Sequence, residues 1–117
     1  MGLSTHVLDT MHGKPASGMK VKLYTTVAGQ ATLVNGFTLN ADGRAPDGLL
    51  YDRDSLQTGT YRLVFDVGTY FAGLGVSLPE PAFLSLVTLD FGVADTAQHY
   101  HVPLLVSPWS YSTYRGS

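Results

Sequence analysis

Apolar and polar residues alternate with a period of two along most of this chain. In residues 19–27, Val21, Leu23 and Val27 share one face while Lys20 and Lys22 point the other way. That pattern predicts a half-buried strand. Gly29-Gln30 suits a tight hairpin with Gly first in a type II′ turn. Residues 31–40 then read as the return strand, with Leu33, Phe37 and Leu39 on one face, and Asp42-Gly43 marks the next turn. Residues 60–67 alternate again, setting Tyr61, Leu63, Phe65 and Val67 against Arg62, Val64 and Asp66. Residues 83–91 read as a strand apolar on both faces, 98–106 as a strand interrupted by Pro103, 111–115 as the last strand and 5–9 as the first. Residues 67–75 do not alternate, and the spacing predicts one short helix there, stopped by Gly73 or Gly75.

Many short strands with turn signals at regular spacing predict an all-β sandwich or barrel. Pro103 has no N–H to give to a ladder, so its strand is expected to have an unpaired side or a bulge there. At 117 residues, with no repeat, linker or low-complexity stretch, residues 1–117 are expected to form one domain.

Composition narrows the function classes. The net charge is -2 and only 14% of residues are charged, so the basic footprint of a nucleic-acid binder is missing. With 44% hydrophobic residues, that low charge suggests that other subunits cover part of the surface. There is no cysteine, which excludes disulfides and thiolate metal sites and suits a reducing compartment. No apolar run approaches the roughly 18 residues of a membrane span. The first residues lack a basic segment followed by an apolar one, so no secretory signal is expected. The expectation is a soluble cytoplasmic protein that contacts no membrane and no nucleic acid.

Candidate chemistry centres on histidine. His99 and His101 lie two apart in a strand-like run and so project from the same face. Two imidazoles on one face can bind a metal or share acid–base work; equally, one can be exposed while the other packs. His6 sits in the first strand, in phase with Leu8. His12 falls in a turn and is expected to be exposed and inert. Arg44 follows the Asp42-Gly43 turn, where planar donors would suit a carbonyl oxygen if they faced a pocket. Asp52-Arg53-Asp54 reads as a solvated charge cluster without a role. No Gly-x-Ser-x-Gly elbow is present.

Several segments resemble 5-hydroxyisourate hydrolases. They are Thr5-His6-Val7-Leu8-Asp9-Thr10, Gly13-Lys14-Pro15-Ala16, Val21-Lys22-Leu23-Tyr24, Asp42-Gly43-Arg44, His99-Tyr100-His101-Val102-Pro103-Leu104-Leu105 and Tyr114-Arg115-Gly116-Ser117. They run in the family's order across nearly the whole chain, and the tetrapeptide at 114–117 is the most specific. The resemblance implies a transthyretin-like sandwich of two four-stranded sheets with one short helix, assembled as a homotetramer, a dimer of dimers. It implies a site in a channel between dimers, with no metal and no cofactor. Family roles fall on His6, Arg44, His101 and Ser117 for catalysis, and on His6, Arg44, Tyr114 and Arg115 for binding the small-molecule substrate. His99 lies outside that set.

The implied reaction is hydrolysis of 5-hydroxyisourate in purine breakdown. It needs a base for water, positive charge for an oxyanion and an acid for the leaving nitrogen. Histidine suits the first and third, being mostly neutral at pH 7, and arginine suits the second. The sequence leaves open whether His6 or His101 is the base. It also leaves open whether Ser117 acts through its hydroxyl or a carboxylate, and whether Arg115 binds substrate or anchors the tail. Two rival readings remain: a zinc hydrolase using His6, His99 and His101, and a non-catalytic carrier of the transthyretin type.

Overall fold

The computed structural model describes residues 2–48, 50–52 and 55–117. Its elements are β1 (Gly2–Asp9), β2 (Lys14–Pro15), β3 (Lys20–Val27), β4 (Gln30–Thr38), β5 (Tyr51–Asp52), β6 (Gly59–Asp66), α1 (Val67–Gly73), β7 (Leu86–Val93), β8 (Tyr100–Val106) and β9 (Tyr111–Thr113). One sheet runs β2-β1-β8-β9, with β5 also pairing to β1; the other runs β4-β3-β6-β7. This is the expected all-β sandwich, with two very short strands, β2 and β5, that are too brief to show a period.

Alternation explains how the sheets pack. Leu3 and Val7 of β1, Leu23 of β3, Leu63 and Phe65 of β6 and Leu104 of β8 are each fully buried between the sheets. Each such side chain contributes about 1.5–3 kcal/mol by leaving water. The intervening residues of β1 and β8, including Ser4, His6 and His101, therefore face away from the core. The helix closes one end. Asp66 caps its start by accepting from the Thr69 N–H, and Val67 and Phe71 pack into the core. Gly75, at φ 82°, follows its end, near the predicted stop.

Four sequence expectations need correction. The β3–β4 turn is Ala28-Gly29, not Gly29-Gln30: Val27 pairs with Gln30, and both turn residues have positive φ, as in a type I′ turn. Leu33 does not share the buried face of Phe37 and Leu39; it is 54% exposed against 2% for Leu39. The cause is a bulge. Leu23 pairs with Asn35 but Tyr24 with Leu33, so Val34 is an extra residue and the side-chain phase inverts across it. Residues 83–91 are not one strand, because β6 ends at Asp66, the partner of Leu86, and offers nothing for earlier residues to pair with. Phe83 is instead exposed and lies beside Trp109, ring centroids 5.8 Å apart. Finally, His12 is surface-placed but not inert. Its Nδ1 lies 2.6 Å from Oδ2 of the fully buried Asp9, and its backbone N–H donates to Oδ1 at 3.0 Å. Arg53 and Asp54 of the predicted charge cluster lie outside the described residues.

Pro103 behaves as its chemistry requires. His101 exchanges backbone hydrogen bonds with Gly116, so alternation points the Pro103 nitrogen toward the same tail segment. Pairing of β8 with β9 ends at Leu104–Thr113 and returns only at the isolated His101–Gly116 bridge. The lapse leaves Tyr114 and Arg115 off the ladder.

Candidate active site

The outward face of β1 and β8 collects the histidines. The strands run parallel, with Ser4 opposite His101 and His6 opposite Pro103. Arg44 joins them through its turn. Asn40 accepts at its carbonyl from the Gly43 N–H and at its side-chain oxygen from the N–H groups of Asp42 and Arg44. The Gly43 carbonyl then accepts from Val7 at 2.9 Å, and Arg44 forms a bridge to His6. Gly43 is obligatory here: at φ +73°, a Cβ would stand 2.5 Å from the Val7 carbonyl oxygen.

His6 and His101 are both half-buried, and both titrate below the ordinary histidine range. Burial is the larger cause for each, followed by the Arg44 guanidinium. A hydrogen bond to the Asp42 backbone and the Asp42 carboxylate pull His6 partly back, while His6 and His99 push His101 further down. Both rings are thus held neutral beside a permanent cation. That arrangement supplies lone pairs for proton abstraction and a charge for a developing oxyanion.

A match to the HIUase/Transthyretin family spans residues 3–116.

The chain belongs to the HIUase/Transthyretin family.

It is 55% identical over 115 residues to 5-hydroxyisourate hydrolase 2 of Rhizobium meliloti (strain 1021), covering 98% of this chain and 95% of that protein. Among solved structures it is similar to (S)-allantoin synthase, with a TM-score of 0.92 and 44% identity; the match covers 99% of this chain but only 43% of that one. It is also similar to sea bream transthyretin in complex with thyroxine, with a TM-score of 0.85 and 28% identity, covering 99% of this chain and 95% of that one.

The family motifs split between two places. His6, Arg44 and His101 come together on the outward face. Gly116 lies against His101, so Ser117, which is exposed, follows directly beyond it. Tyr114 and Arg115 turn the other way. They line a cleft of about 470 Å³ at the open edge of the sandwich, with Phe91 of β7 and Tyr100 of β8. The Arg115 guanidinium donates to Gln98 Oε1 at 2.8 Å and to the His99 carbonyl at 3.3 Å, and lies 4.4 Å from the Tyr100 ring centroid. Tyr114 is 60% exposed. Among the described residues, no three His, Asp or Glu side chains form a group that could hold a metal ion.

Sequence reasoning passed over Ser4. Its hydroxyl sits 2.8 Å from His101 Nδ1 and 2.9 Å from His99 Nε2. The available signal was the parallel pairing of β1 with β8, which periodicity does not reveal.

Proposed function

We propose that the chain hydrolyses 5-hydroxyisourate to 2-oxo-4-hydroxy-4-carboxy-5-ureidoimidazoline. The observation that carries this reading is the pair of neutral-biased imidazoles, His6 and His101, on neighbouring strands with Arg44 bridged to His6. The 55% identity to a named 5-hydroxyisourate hydrolase supports it. His101 or His6 takes a proton as water adds to the ring carbonyl carbon. Arg44 stabilises the oxyanion that results. The carbonyl–nitrogen bond then breaks, and the protonated imidazole returns its proton to the leaving nitrogen. Ser117 lies next to this exchange and polarises a histidine or the water. Tyr114 turns into the other cleft and is exposed there, so within one chain it does not reach substrate held by His6, Arg44 and His101. The contacts of Arg115 support an anchoring role that holds the tail in place for substrate binding.

We place this site in a homotetramer, a dimer of dimers in the cytoplasm, working without a cofactor, each copy contributing residues 1–117 as one domain. β7 and β9 have no further strand partner among the described residues. Nearby Phe83, Trp109 and Tyr111 are exposed at 67%, 58% and 45%, apolar surface suited to a second copy.

The test is an ultraviolet time course on freshly generated 5-hydroxyisourate, with wild type beside His101→Asn. Decay faster than the spontaneous rate, lost in the mutant, is the expected result. A folded tetramer that binds a urate-like ligand without accelerating decay would shift the assignment to a carrier.

A further inference from the structure

Beside Arg44 and His6, His101 has a second set of neighbours that the proposed mechanism leaves unused. Ser4 of β1 is 6% exposed and stands opposite His101 in the parallel ladder. His99 precedes His101 by two residues and projects on the same side. The Ser4 hydroxyl lies between the two rings, within hydrogen-bond distance of both.

A hydroxyl carries one proton and two lone pairs; among the described residues Ser4 Oγ has no other acceptor for that proton, so it donates to one ring nitrogen and accepts from the other. If Ser4 donated to His101 Nδ1, the remaining His101 proton would sit on Nε2 and block it as a base. If Ser4 accepts from His101 Nδ1–H, Nε2 keeps its lone pair. The Ser4 proton then points to His99 Nε2, and His99 carries its own proton on Nδ1. Among the described residues, Nε2 of His101 has no hydrogen-bond partner, so it is the nitrogen open to a ligand.

We propose that Ser4 and His99 are positioning residues that form a proton relay behind His101. Ser4 fixes the Nδ1–H tautomer of His101, and His99 receives the displaced proton. As His101 Nε2 takes a proton from water, its Nδ1 proton passes to Ser4 Oγ, and the Ser4 proton passes to His99 Nε2. No proton is gained or lost: His101 stays neutral as the Nε2–H form and His99 becomes the imidazolium, and when Nε2 gives its proton to the leaving nitrogen the relay runs back and returns His99 to its neutral form. The relay moves positive charge from a ring facing Arg44 and His6 to one beyond Ser4. Burial first, then Arg44 from the turn after β4, His6 from β1 and His99 just before β8 disfavour a charged His101. The His99 ring is half-buried, and its residue's carbonyl accepts from the Arg115 guanidinium, so the relay relieves the repulsion from Arg44 only in part. The proton transfer rests on the hydrolytic reading; the fixed tautomer does not.

Two measurements separate these. Long-range proton–nitrogen NMR on the free protein at pH 8 reads the ring tautomers without any substrate. The expected result is Nδ1–H for both His101 and His99 in the wild type, lost from His101 in Ser4→Ala and kept in Ser4→Thr. An Nε2–H tautomer on His101 in the wild type overturns the proposal, whatever the activity. Kinetics on 5-hydroxyisourate then test the relay. Ser4→Ala lowers kcat about ten- to a hundredfold with little change in KM, part of the ~10²–10⁴-fold that a positioned base contributes, and Ser4→Thr restores it. His99→Gln keeps an acceptor for Ser4 but cannot become a cation. Its plot of kcat against solvent deuterium fraction is straight where the wild-type plot bows. A straight wild-type plot, or a bow that survives in His99→Gln, removes the relay. Wild-type protein that fails to hydrolyse the substrate while showing the expected tautomers would overturn the hydrolytic reading and the transfer with it, leaving only the fixed tautomer.

Discussion

Gly116 and His101 exchange a pair of backbone hydrogen bonds, the Gly116 N–H to the His101 carbonyl at 2.7 Å and the His101 N–H to the Gly116 carbonyl at 3.1 Å. The tail is thereby fastened to the residue whose ring it flanks. A Cβ at Gly116 would meet His101 Cβ and Cδ2 at 3.1 Å, so a larger side chain must push on that ring. Gly116→Val is expected to lower kcat/KM about 10²-fold, the scale of a 1 Å misplacement, while the melting temperature hardly moves. Unchanged kcat/KM would separate the tail from the chemistry.

Arg44 is exposed, and its backbone rather than its side chain holds the turn. Arg44→Ala is therefore expected to fold normally. If its guanidinium stabilises the oxyanion, kcat falls about 10²–10³-fold, the usual cost of one lost donor. Retained activity in a folded tetramer would remove Arg44 from that role.

Gly43 sets where Arg44 stands. Gly43→Ala introduces a Cβ 2.5 Å from the Val7 carbonyl oxygen and 3.1 Å from Pro15 Cβ, at φ +73°. Overpacking costs about 1–3 kcal/mol, and the left-handed backbone adds about 1–2 kcal/mol for a residue with a Cβ. Denaturant titration should show that loss together with reduced activity. A loss of stability without any loss of activity would mean that Arg44 does not depend on this turn.

Period-two alternation made most of this fold legible. Val21, Leu23, Tyr61, Leu63 and Phe65 all face the core as the alternation requires. It failed at Leu33 because a bulge shifts phase without leaving a sequence mark, and at Phe83 because a strand needs a partner as well as a pattern. Of the candidate site, motifs named His6, Arg44 and His101, which the fold brings onto one face. Ser4 was not legible, since its role depends on which strand lies beside β8. His12 was misjudged for the same reason: only the fold shows that Asp9 beneath it is fully buried and also bonded to Tyr70.

That second contact carries a stability prediction. Tyr70 donates to Asp9 Oδ2 at 2.8 Å, and both residues are buried. Burial alone would raise the Asp9 pKa, but hydrogen bonds from His12 and Tyr70 outweigh it and hold the carboxyl below its ordinary range. Burial and the Asp9 carboxylate push the Tyr70 phenol well above its own. Tyr70→Phe is expected to cost about 1.5–3 kcal/mol, as for a lost hydrogen bond to a charged group. Because the folded Asp9 pKa lies below its unfolded value, its contribution is complete above about pH 4. It is lost as pH falls through the folded value. Urea titrations of wild type and Tyr70→Phe should therefore converge in strong acid; a constant gap down to the lowest pH would show that the Asp9 charge is not involved.

The two histidines of the candidate site act in the same direction at higher pH. Each is lowered in the folded protein by burial first and by Arg44 second. Between the folded values and the unfolded value of about 6.5, the unfolded chain binds more protons, so these groups make stability rise with pH through that window and level off above it. Activity that needs a neutral imidazole follows the folded values, so the acid limb of kcat/KM should have its midpoint below pH 6.5. Arg44→Gln removes the cationic part of the shift but leaves burial in place. NMR titration of the His6 and His101 ring protons in that variant should show both midpoints moving upward without exceeding the ordinary histidine range. Midpoints that stay where they are in the wild type would mean that the guanidinium does not act on either ring, and would leave the oxyanion role without its electrostatic basis.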